Sequence, residues 1–336
     1  MSGIEPVGKS RPDASMDIIF VHGLGGHWKT TWEFPSQPAG KPNLKSDTPS
    51  RAQNRPNIEF EPSALFWPEW IAEALPRAAV WALNYDANLS DWSRGMALSQ
   101  HGDQALAMLV ADGFGRRPIV FVAHSLGGLV VKSLLQASYD DLNPINRAIA
   151  HAACGVIFFA TPNSGSTLAS RITRLVGMLG PIGQLARLSA LVRVLRANEP
   201  ELLRLNRWYR DRVTDATGRG LKISTQVFYE TRPILLGLIS VVDASSADPG
   251  IGGSDFIPVS EDHFGICKLS NVEHWIFKRV VQFVSGCTQT DAQGDGPIIE
   301  LVVPSSANSI RLVVDANMIP NGNVTFHITR SDGAKK

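Results

Sequence analysis

The stretch from Ile119 to Val131 is the feature that most constrains the fold of this chain. It contains a run of apolar β-forming residues, then Ala-His-Ser-Leu-Gly, then a pattern typical of a helix. A strand that turns sharply into a helix at a serine is typical of a nucleophile elbow, in which small residues flank a strained serine. Here the first small residue is Ala123 rather than glycine. The stretch therefore predicts that Ser125 projects from the end of a strand as a nucleophile.

Short apolar segments alternate with helix-length segments along most of the chain. Apolar runs bounded by glycine and separated by helical patterns indicate buried parallel strands joined by right-handed crossovers. We therefore expect an α/β fold with a mostly parallel, doubly wound sheet. The predicted strands are Met16–Val21, Ala78–Tyr85, Pro118–Val122, Gly155–Ala160, Ser224–Glu230, Gly237–Val242 and Phe256–Val259, and a closing helix is predicted from about Val272 to Val284.

The same patterns divide the chain into parts. Residues 1–15 are predicted to be a polar leader, and residues 16–290 a single α/β domain with a helical insertion at about 167–222. After a glycine-rich break, residues 296–336 are predicted to form a small β appendage. The three short β-like runs of this appendage are Ile298–Val303, Ile310–Val314 and Val324–Ile328.

The insertion at 167–222 contains an amphipathic stripe. Apolar side chains recur there at the spacing of one helix face, and arginines interrupt the stripe. Two interpretations remain open: a lid over an acyl pocket, whose arginines contact anionic lipid, or a helix packed on the core with a solvated basic face. The apolar positions are Leu185, Leu188, Leu191, Val192 and Leu195, and the basic ones Arg187, Arg193 and Arg196.

A nucleophilic serine needs a base and an orienting acid, and in this kind of fold both follow it in the chain. His263 comes just after the last predicted strand and is the candidate base. Three carboxylates compete for the acid: Glu230 and Asp243 each end a predicted strand, and Asp248 lies in the loop that follows. Any of the three could hold the imidazole tautomer and stabilise the imidazolium.

Two backbone N–H groups are candidates for an oxyanion hole, which stabilises the negative charge of the tetrahedral intermediate. One belongs to Leu126, directly after the serine, and the other to Leu24, in the glycine-rich turn after the first predicted strand. A nucleotide-binding loop is disfavoured, since Trp28 stands where the second glycine of a phosphate-binding motif would be.

Composition excludes several classes of function. The chain has 32 Lys and Arg against 31 Asp and Glu, and so lacks the basic excess that drives nucleic-acid binding. Three cysteines without a CxxC pair indicate neither a disulfide framework nor a metal site. The N-terminus shows no signal-peptide pattern, and the longest apolar run, Ile234–Val242, is too short to span a bilayer. We therefore expect a cytoplasmic protein, with peripheral membrane contact if the lid interpretation holds.

Motifs along residues 20–285 resemble the α/β-hydrolase superfamily. Within it they are similar to the lipase-like group that includes the serine active site containing protein and the hydrolase modules fused to NTPase receptors. The group usually has His where Asn163 stands and often Glu where Ser245 stands. The resemblance rests on Phe20–Gly26, Trp67–Trp70, Leu83–Asp86, Pro118–Lys132, Gly155–Ser166, Val227–Thr231, Ser246–Gly250 and Asp262–Lys268.

The resemblance implies an α/β-hydrolase fold and an esterase or lipase-like activity, for some members in phospholipid remodelling. Its usual spacing between acid, Ser-Ala and histidine favours Glu230 as the acid, with Asp243 as the alternative. We therefore expect a serine hydrolase of acyl esters, or a transacylase, that uses Ser125, His263 and an acid without cofactor or metal. The alternative is an inactive hydrolase scaffold that binds a protein partner through its β appendage.

Overall fold

The computed structural model divides the chain into two compact units, Met1–Cys287 and Thr288–Lys336. The first unit contains a seven-stranded sheet flanked by helices. The structure describes residues 2–35, 65–87, 97–163, 199–215, 220–233, 242, 244–292, 310–313 and 327–330. The strands of the sheet are β1 Gly3–Val7, β2 Met16–Val21, β3 Ala78–Asn84, β4 Ile119–His124, β5 Ala153–Phe159, β6 Ser224–Glu230 and β7 Asp255–Val259. The described helices are α1 Trp67–Ala74, α2 Leu98–Ala111, α3 Leu126–Asp140, α4 Pro144–Ala152, α5 Glu199–Val213, α6 Ala244–Ala247 and α7 Trp275–Ala292.

The strand order β1-β3-β2-β4-β5-β6-β7 creates a switch point beside β2. From β2 the chain crosses to β3 on one side, and it then returns to place β4 on the other side. All neighbouring pairs from β3 to β7 are parallel. In such sheets ligands bind outside the carboxyl ends of the strands at the switch point, which here lies where β2 and β4 end. The predicted α/β, mostly parallel, doubly wound sheet is confirmed.

The central strands are buried on both faces, as their apolar sequences predict. Every residue of β2 and β4 is buried, and two apolar clusters cover the two sides of the sheet. Trp32 and Trp67 lie fully buried in one cluster, each edge-on to Phe20 with ring centroids 5.0 Å apart. Burial on both faces explains why the strands lack the alternation of a half-exposed sheet.

The N-terminus differs from the polar leader predicted for residues 1–15. Gly3–Val7 form the antiparallel edge strand β1, paired with β3 from Gly3 opposite Asn84 to Val7 opposite Val80. Polar residues and a proline (Glu5 and Pro6) are tolerated there because an edge strand leaves one side unpaired. A short edge strand therefore has a weak apolar signal, and the prediction overlooked it.

The predicted insertion at 167–222 is described only in its last part. The amphipathic stripe Leu185–Leu195 lies outside the described residues, and so does most of the predicted strand Gly237–Val242. Helix α5 is described, and its Leu202, Leu205 and Tyr209 are buried in the core. This end of the insertion is therefore a packed helix and part of the domain.

The second unit is described in two short strands. Ile310–Val313 (β8) and His327–Arg330 (β9) pair in antiparallel fashion, with Ile310 opposite Arg330 and Val313 opposite His327. The run predicted at Ile298–Val303 lies outside the described residues. None of the helices in the described ranges combines the length and apolar character that a membrane crossing requires.

We expect Gly127→Ala to destabilise the first unit by roughly 1–3 kcal/mol, the usual cost of forcing extra atoms into a packed core. A Cβ at this position would lie 2.6 Å from the carbonyl oxygen of Val21 and would also overlap that of His22. Both obstacles are backbone atoms of β2 and its loop, which cannot rotate away. Urea unfolding followed by circular dichroism measures the change.

Gly286→Ala is the matched control. Gly286 lies on an exposed face of α7, and a Cβ there meets nothing within 4 Å. We expect this variant to be as stable as the wild type or up to about 1 kcal/mol more stable, since alanine favours a helix. Equal stability of the two variants would contradict the close contact at Gly127.

Candidate active site

Ser125 lies in a strained turn between β4 and α3. Its backbone has φ 53° and ψ −127°, which a non-glycine residue adopts rarely and at a cost of order 1–3 kcal/mol. The Ser125 N–H donates to the carbonyl of Phe159 at 2.8 Å, which ties the turn to the end of β5. The predicted strand, turn and helix are present, and the strain at Ser125 is that of a nucleophile elbow.

His263 and Glu230 meet Ser125 at the carboxyl end of the sheet. His263 Nε2 lies 2.9 Å from Ser125 Oγ, and His263 Nδ1 lies 2.6 Å from Glu230 Oε2. All three residues are buried, with at most 2% of each exposed. The serine, the histidine and the favoured acid of the sequence analysis thus form one continuous hydrogen-bonded chain.

The other two candidate acids are not found at this position. Asp248 is exposed, and its Oδ1 accepts from the N–H of Gly250 at 2.7 Å within a local turn. Asp243 lies outside the described residues. His274, the next histidine in the chain after His263, is half-buried just before α7, where its Nδ1 accepts from the N–H of Ile276 at 3.3 Å.

Backbone contacts hold the base and the acid in place. Glu230 ends β6, and its Oε1 accepts from the N–H of Val242 at 2.9 Å. His263 follows β7, and its carbonyl accepts from His124 Nε2 at 2.8 Å. Because a carbonyl only accepts, His124 must carry its proton on Nε2. Burial lowers the pKa of His124 to about 3, and the imidazole is therefore neutral.

The glycine-rich loop after β2 packs directly against the elbow. A Cβ at Gly23 would lie 2.9 Å from Ser125 Cβ and 3.1 Å from the carbonyl of His124, so only glycine fits there. The Gly23 carbonyl accepts from the Gly26 N–H at 3.0 Å. The Gly23 carbonyl and the Leu24 N–H belong to the same trans peptide, in which C=O and N–H point in opposite directions. The Leu24 N–H is therefore directed away from the turn from Gly23 to Gly26.

His22 holds this loop through a hydrogen bond to its backbone and a ring contact with Tyr85. Its Nδ1 lies 3.1 Å from the Gly23 carbonyl, to which it donates, and its ring stacks on Tyr85 with centroids 4.5 Å apart. The Tyr85 hydroxyl in turn donates to the His22 carbonyl at 2.7 Å. Burial lowers the pKa of His22 to about 4, which leaves the imidazole neutral and able to keep this tautomer.

The second predicted oxyanion donor is the N–H of Leu126. Leu126 is the first residue of α3, and the first N–H groups of a helix have no partner within the helix. The positive end of the helix dipole adds to their attraction for negative charge. The two predicted donors thus belong to two backbone segments, the glycine loop packed against Ser125 and the first turn of α3.

A cavity of about 170 Å³ adjoins the elbow. Its wall is formed by the glycine loop, His124 and the segment that follows the candidate base, including Phe264 and Cys267. A larger cavity of about 830 Å³ lies where β6 and β7 begin, beside Ser224 and Asp255, at the opposite ends of the strands from Ser125. Of these two cavities, the smaller one adjoins the candidate active site.

The sequence analysis gave no role to His22 or His124. Their position directly after β2 and directly before Ser125 was visible in the sequence. Their partners are backbone carbonyls, however, and these pairings follow only from the folded arrangement of β2, β4 and the loop after β7.

Comparison with known sequences finds similarity to one kind of protein, and no family model matches the chain. Protein SERAC1 of Homo sapiens is 28% identical over 300 residues, which cover 86% of this chain and 42% of that protein. Protein SERAC1 of Danio rerio is 30% identical over 292 residues, covering 84% and 40%. The chain thus spans about two fifths of the length of the curated relatives it matches.

Comparison with solved structures finds hydrolases and related enzymes of low sequence identity. A type II thioesterase of the yersiniabactin pathway, YbtT, has 13% identity and a TM-score of 0.45 over 84% of this chain and 98% of its own. The putative non-heme bromoperoxidase BpoC of Mycobacterium tuberculosis H37Rv has 9% identity and a TM-score of 0.48, over 85% and 96%. A putative aryl esterase from Burkholderia cenocepacia has 14% identity and a TM-score of 0.42, over 85% and 94%.

The chain's own architecture decides its classification. It has a mostly parallel sheet with a switch point at β2, a strained serine between β4 and α3, and a histidine after the last strand of the sheet. The order serine, acid, histidine along the chain is the order of the α/β-hydrolase fold. This chain therefore has the α/β-hydrolase fold.

Proposed function

We propose that this chain is a serine hydrolase that cleaves acyl esters through an acyl-enzyme. The observation that carries the proposal is the hydrogen-bonded chain from Ser125 Oγ through His263 to Glu230 at a strained elbow. Strain of this kind is retained where it serves a reaction, and a buried serine–histidine–carboxylate chain is the arrangement that activates a serine hydroxyl.

In the first half of the reaction, Ser125 Oγ attacks the ester carbonyl carbon while His263 Nε2 takes the hydroxyl proton. The carbonyl oxygen becomes an oxyanion, which accepts hydrogen bonds from the N–H groups of Leu24 and Leu126. His263 then gives its proton to the alkoxide leaving group as the C–O bond breaks. The products are an alcohol and an acyl group on Ser125.

In the second half, water attacks the acyl-enzyme while His263 takes one of its protons. Collapse of the second tetrahedral intermediate releases a carboxylic acid, and His263 returns a proton to Ser125. Glu230 holds the Nδ1–H tautomer throughout and stabilises the imidazolium of each intermediate. An alcohol or lysolipid in place of water gives a transacylase with the same residues.

The residues supply every group that these steps require, and the proposal therefore needs no cofactor or metal. Phospholipid as a substrate, contact with a membrane surface and a cytoplasmic location stay predictions, since the amphipathic stripe on which they depend lies outside the described residues. The inactive-scaffold alternative predicts that Ser125 does not react with a serine-directed probe, whereas the proposal predicts that it does. One labelling experiment therefore separates the two functions.

We expect a fluorophosphonate probe to label the wild type at Ser125, because the activated Oγ displaces fluoride from phosphorus. Ser125→Ala should abolish labelling, and His263→Ala should slow labelling and p-nitrophenyl ester hydrolysis by about 1000-fold or more. In-gel fluorescence and mass spectrometry of the labelled peptide measure the result.

Ser15→Ala and His274→Ala are the matched controls for this experiment. The Ser15 hydroxyl donates to the Arg77 carbonyl at the surface, and His274 accepts from the Ile276 N–H and stacks on Trp275. Both variants should label like the wild type. A folded wild type that reacts no faster than Ser125→Ala, in detergent or lipid as well as in buffer, would favour the binding scaffold.

We expect Glu230→Gln to lower kcat by about 100- to 10,000-fold, because glutamine removes the charge that stabilises the imidazolium. Asp248→Asn should stay within about twofold of the wild type, since the Asp248 carboxylate only closes a surface turn. Ester hydrolysis under saturating substrate measures both variants. A large loss in Asp243→Asn with little loss in Glu230→Gln would transfer the role of the acid to Asp243.

A further inference from the structure

A buried lysine lies on α3, the helix that begins at the elbow. Lys132 has no exposed surface, although it comes only seven residues after Ser125. Its ammonium donates to the side-chain oxygens of Asn163 and Asn206, both at 2.7 Å. These acceptors come from two other parts of the domain, the segment after β5 and helix α5.

The surroundings of Lys132 contain no compensating negative charge among the described residues. The rings of Phe158 and Tyr209 lie 5.0 and 5.1 Å from Nζ, a distance that permits cation–π attraction. Burial lowers the pKa of Lys132 to about 7. An apolar side chain of similar length would avoid this desolvation cost, so stability alone does not account for a lysine here.

The lysine is connected to the acid through Asn163. The Asn163 Nδ2 donates to the carbonyl of Ala247 at 2.7 Å, at the end of α6. Two residues before α6, the Val242 N–H donates to Glu230 Oε1 at 2.9 Å. Ala247, bound by Asn163, and Val242, bound by the candidate acid, are thus five positions apart in the chain.

We propose that Lys132 and Asn163 are positioning residues, which anchor Ala247 at the end of α6 and, through α6 and Val242, hold Glu230 in register with His263 and Ser125. The inference rests on the proposed function, since it concerns the acid of that site. Nothing in the proposed reaction requires either side chain to touch the substrate.

The direction of the Asn163 amide explains why a lysine is suited to this role. An ammonium only donates, and it therefore selects the oxygen of the amide and leaves the NH₂ group for the Ala247 carbonyl. The ammonium and the Ala247 carbonyl thus favour the same orientation, and without the ammonium only the hydrogen bond to Ala247 holds the amide. The reversed orientation would place the amide oxygen against the Ala247 carbonyl, and the two acceptors would repel each other.

The test is Lys132→Met in the full chain, with Lys278→Met as the control. Methionine keeps the length and the apolar contacts of the buried lysine stem. Lys278 is an exposed lysine on α7 that forms an ion pair with Glu273. We expect Lys132→Met to fold, with kcat for a p-nitrophenyl ester lowered roughly 10- to 100-fold and KM within about twofold, because Glu230 is displaced rather than lost. A folded Lys132→Met with the kcat of the wild type would overturn the proposal.

Asn163→Asp decides the matter if Lys132→Met does not fold. The aspartate still accepts from Lys132 and gains an ion pair, but it presents a second acceptor to the Ala247 carbonyl in place of a donor. We expect a thermal midpoint at or above that of the wild type together with a lower kcat. A kcat equal to that of the wild type would contradict the proposal. A purely structural role predicts that kcat does not fall as long as the thermal midpoint does not fall.

A spectroscopic measurement keeps this inference separate from the proposed function. His263 Nδ1 lies 2.6 Å from Glu230 Oε2, and the proton between these two atoms should give a far-downfield resonance that disappears in His263→Ala. We expect Lys132→Met to shift or broaden it, and Lys278→Met to leave it unchanged. An unshifted resonance in Lys132→Met would overturn the positioning role. Failure of the wild type to react with fluorophosphonate would instead refute only the proposed function.

Discussion

The close contact between the first turn of α3 and the end of β2 is the constraint on which the rest of this site depends. Only a hydrogen at Gly127 allows the helix to reach the carbonyls of Val21 and His22. That approach brings two separate backbone segments, the glycine loop and the start of α3, to the same serine. The strain at Ser125 is the local consequence, and the parallel strands on either side hold the strained turn in place.

Around this contact the site is held mainly by backbone groups, and the buried histidines beside it are neutral. His22 donates to the Gly23 carbonyl and His124 donates to the His263 carbonyl, while burial lowers the pKa of both. Neutral imidazoles support the loops without adding positive charge next to His263. In the proposed reaction, the change of charge therefore falls on His263 alone among these three histidines.

The sequence predicted the parts of the fold that have strong local signals. The elbow, the buried strands and the late position of His263 follow from apolar runs, small residues and chain order. The edge strand β1 was missed because its pattern is short and half-exposed. The choice among Glu230, Asp243 and Asp248 needed the resemblance, and the Lys132–Asn163 link was invisible, since residues 31 positions apart meet only after β5 has packed beside β4.

Strand β1 has a consequence for the solubility of the domain. It pairs with β3 along its whole length, from Gly3 to Val7, and so covers the backbone groups of a strand that is otherwise largely apolar. A variant that lacks the residues before Met16 would present the unpaired edge of β3 to other molecules of the protein. Open edges of that kind template strand addition between molecules. With these residues present, the edge of the sheet is β1 itself, where Glu5 carries a charge and Pro6 lacks an N–H, and both features oppose strand addition.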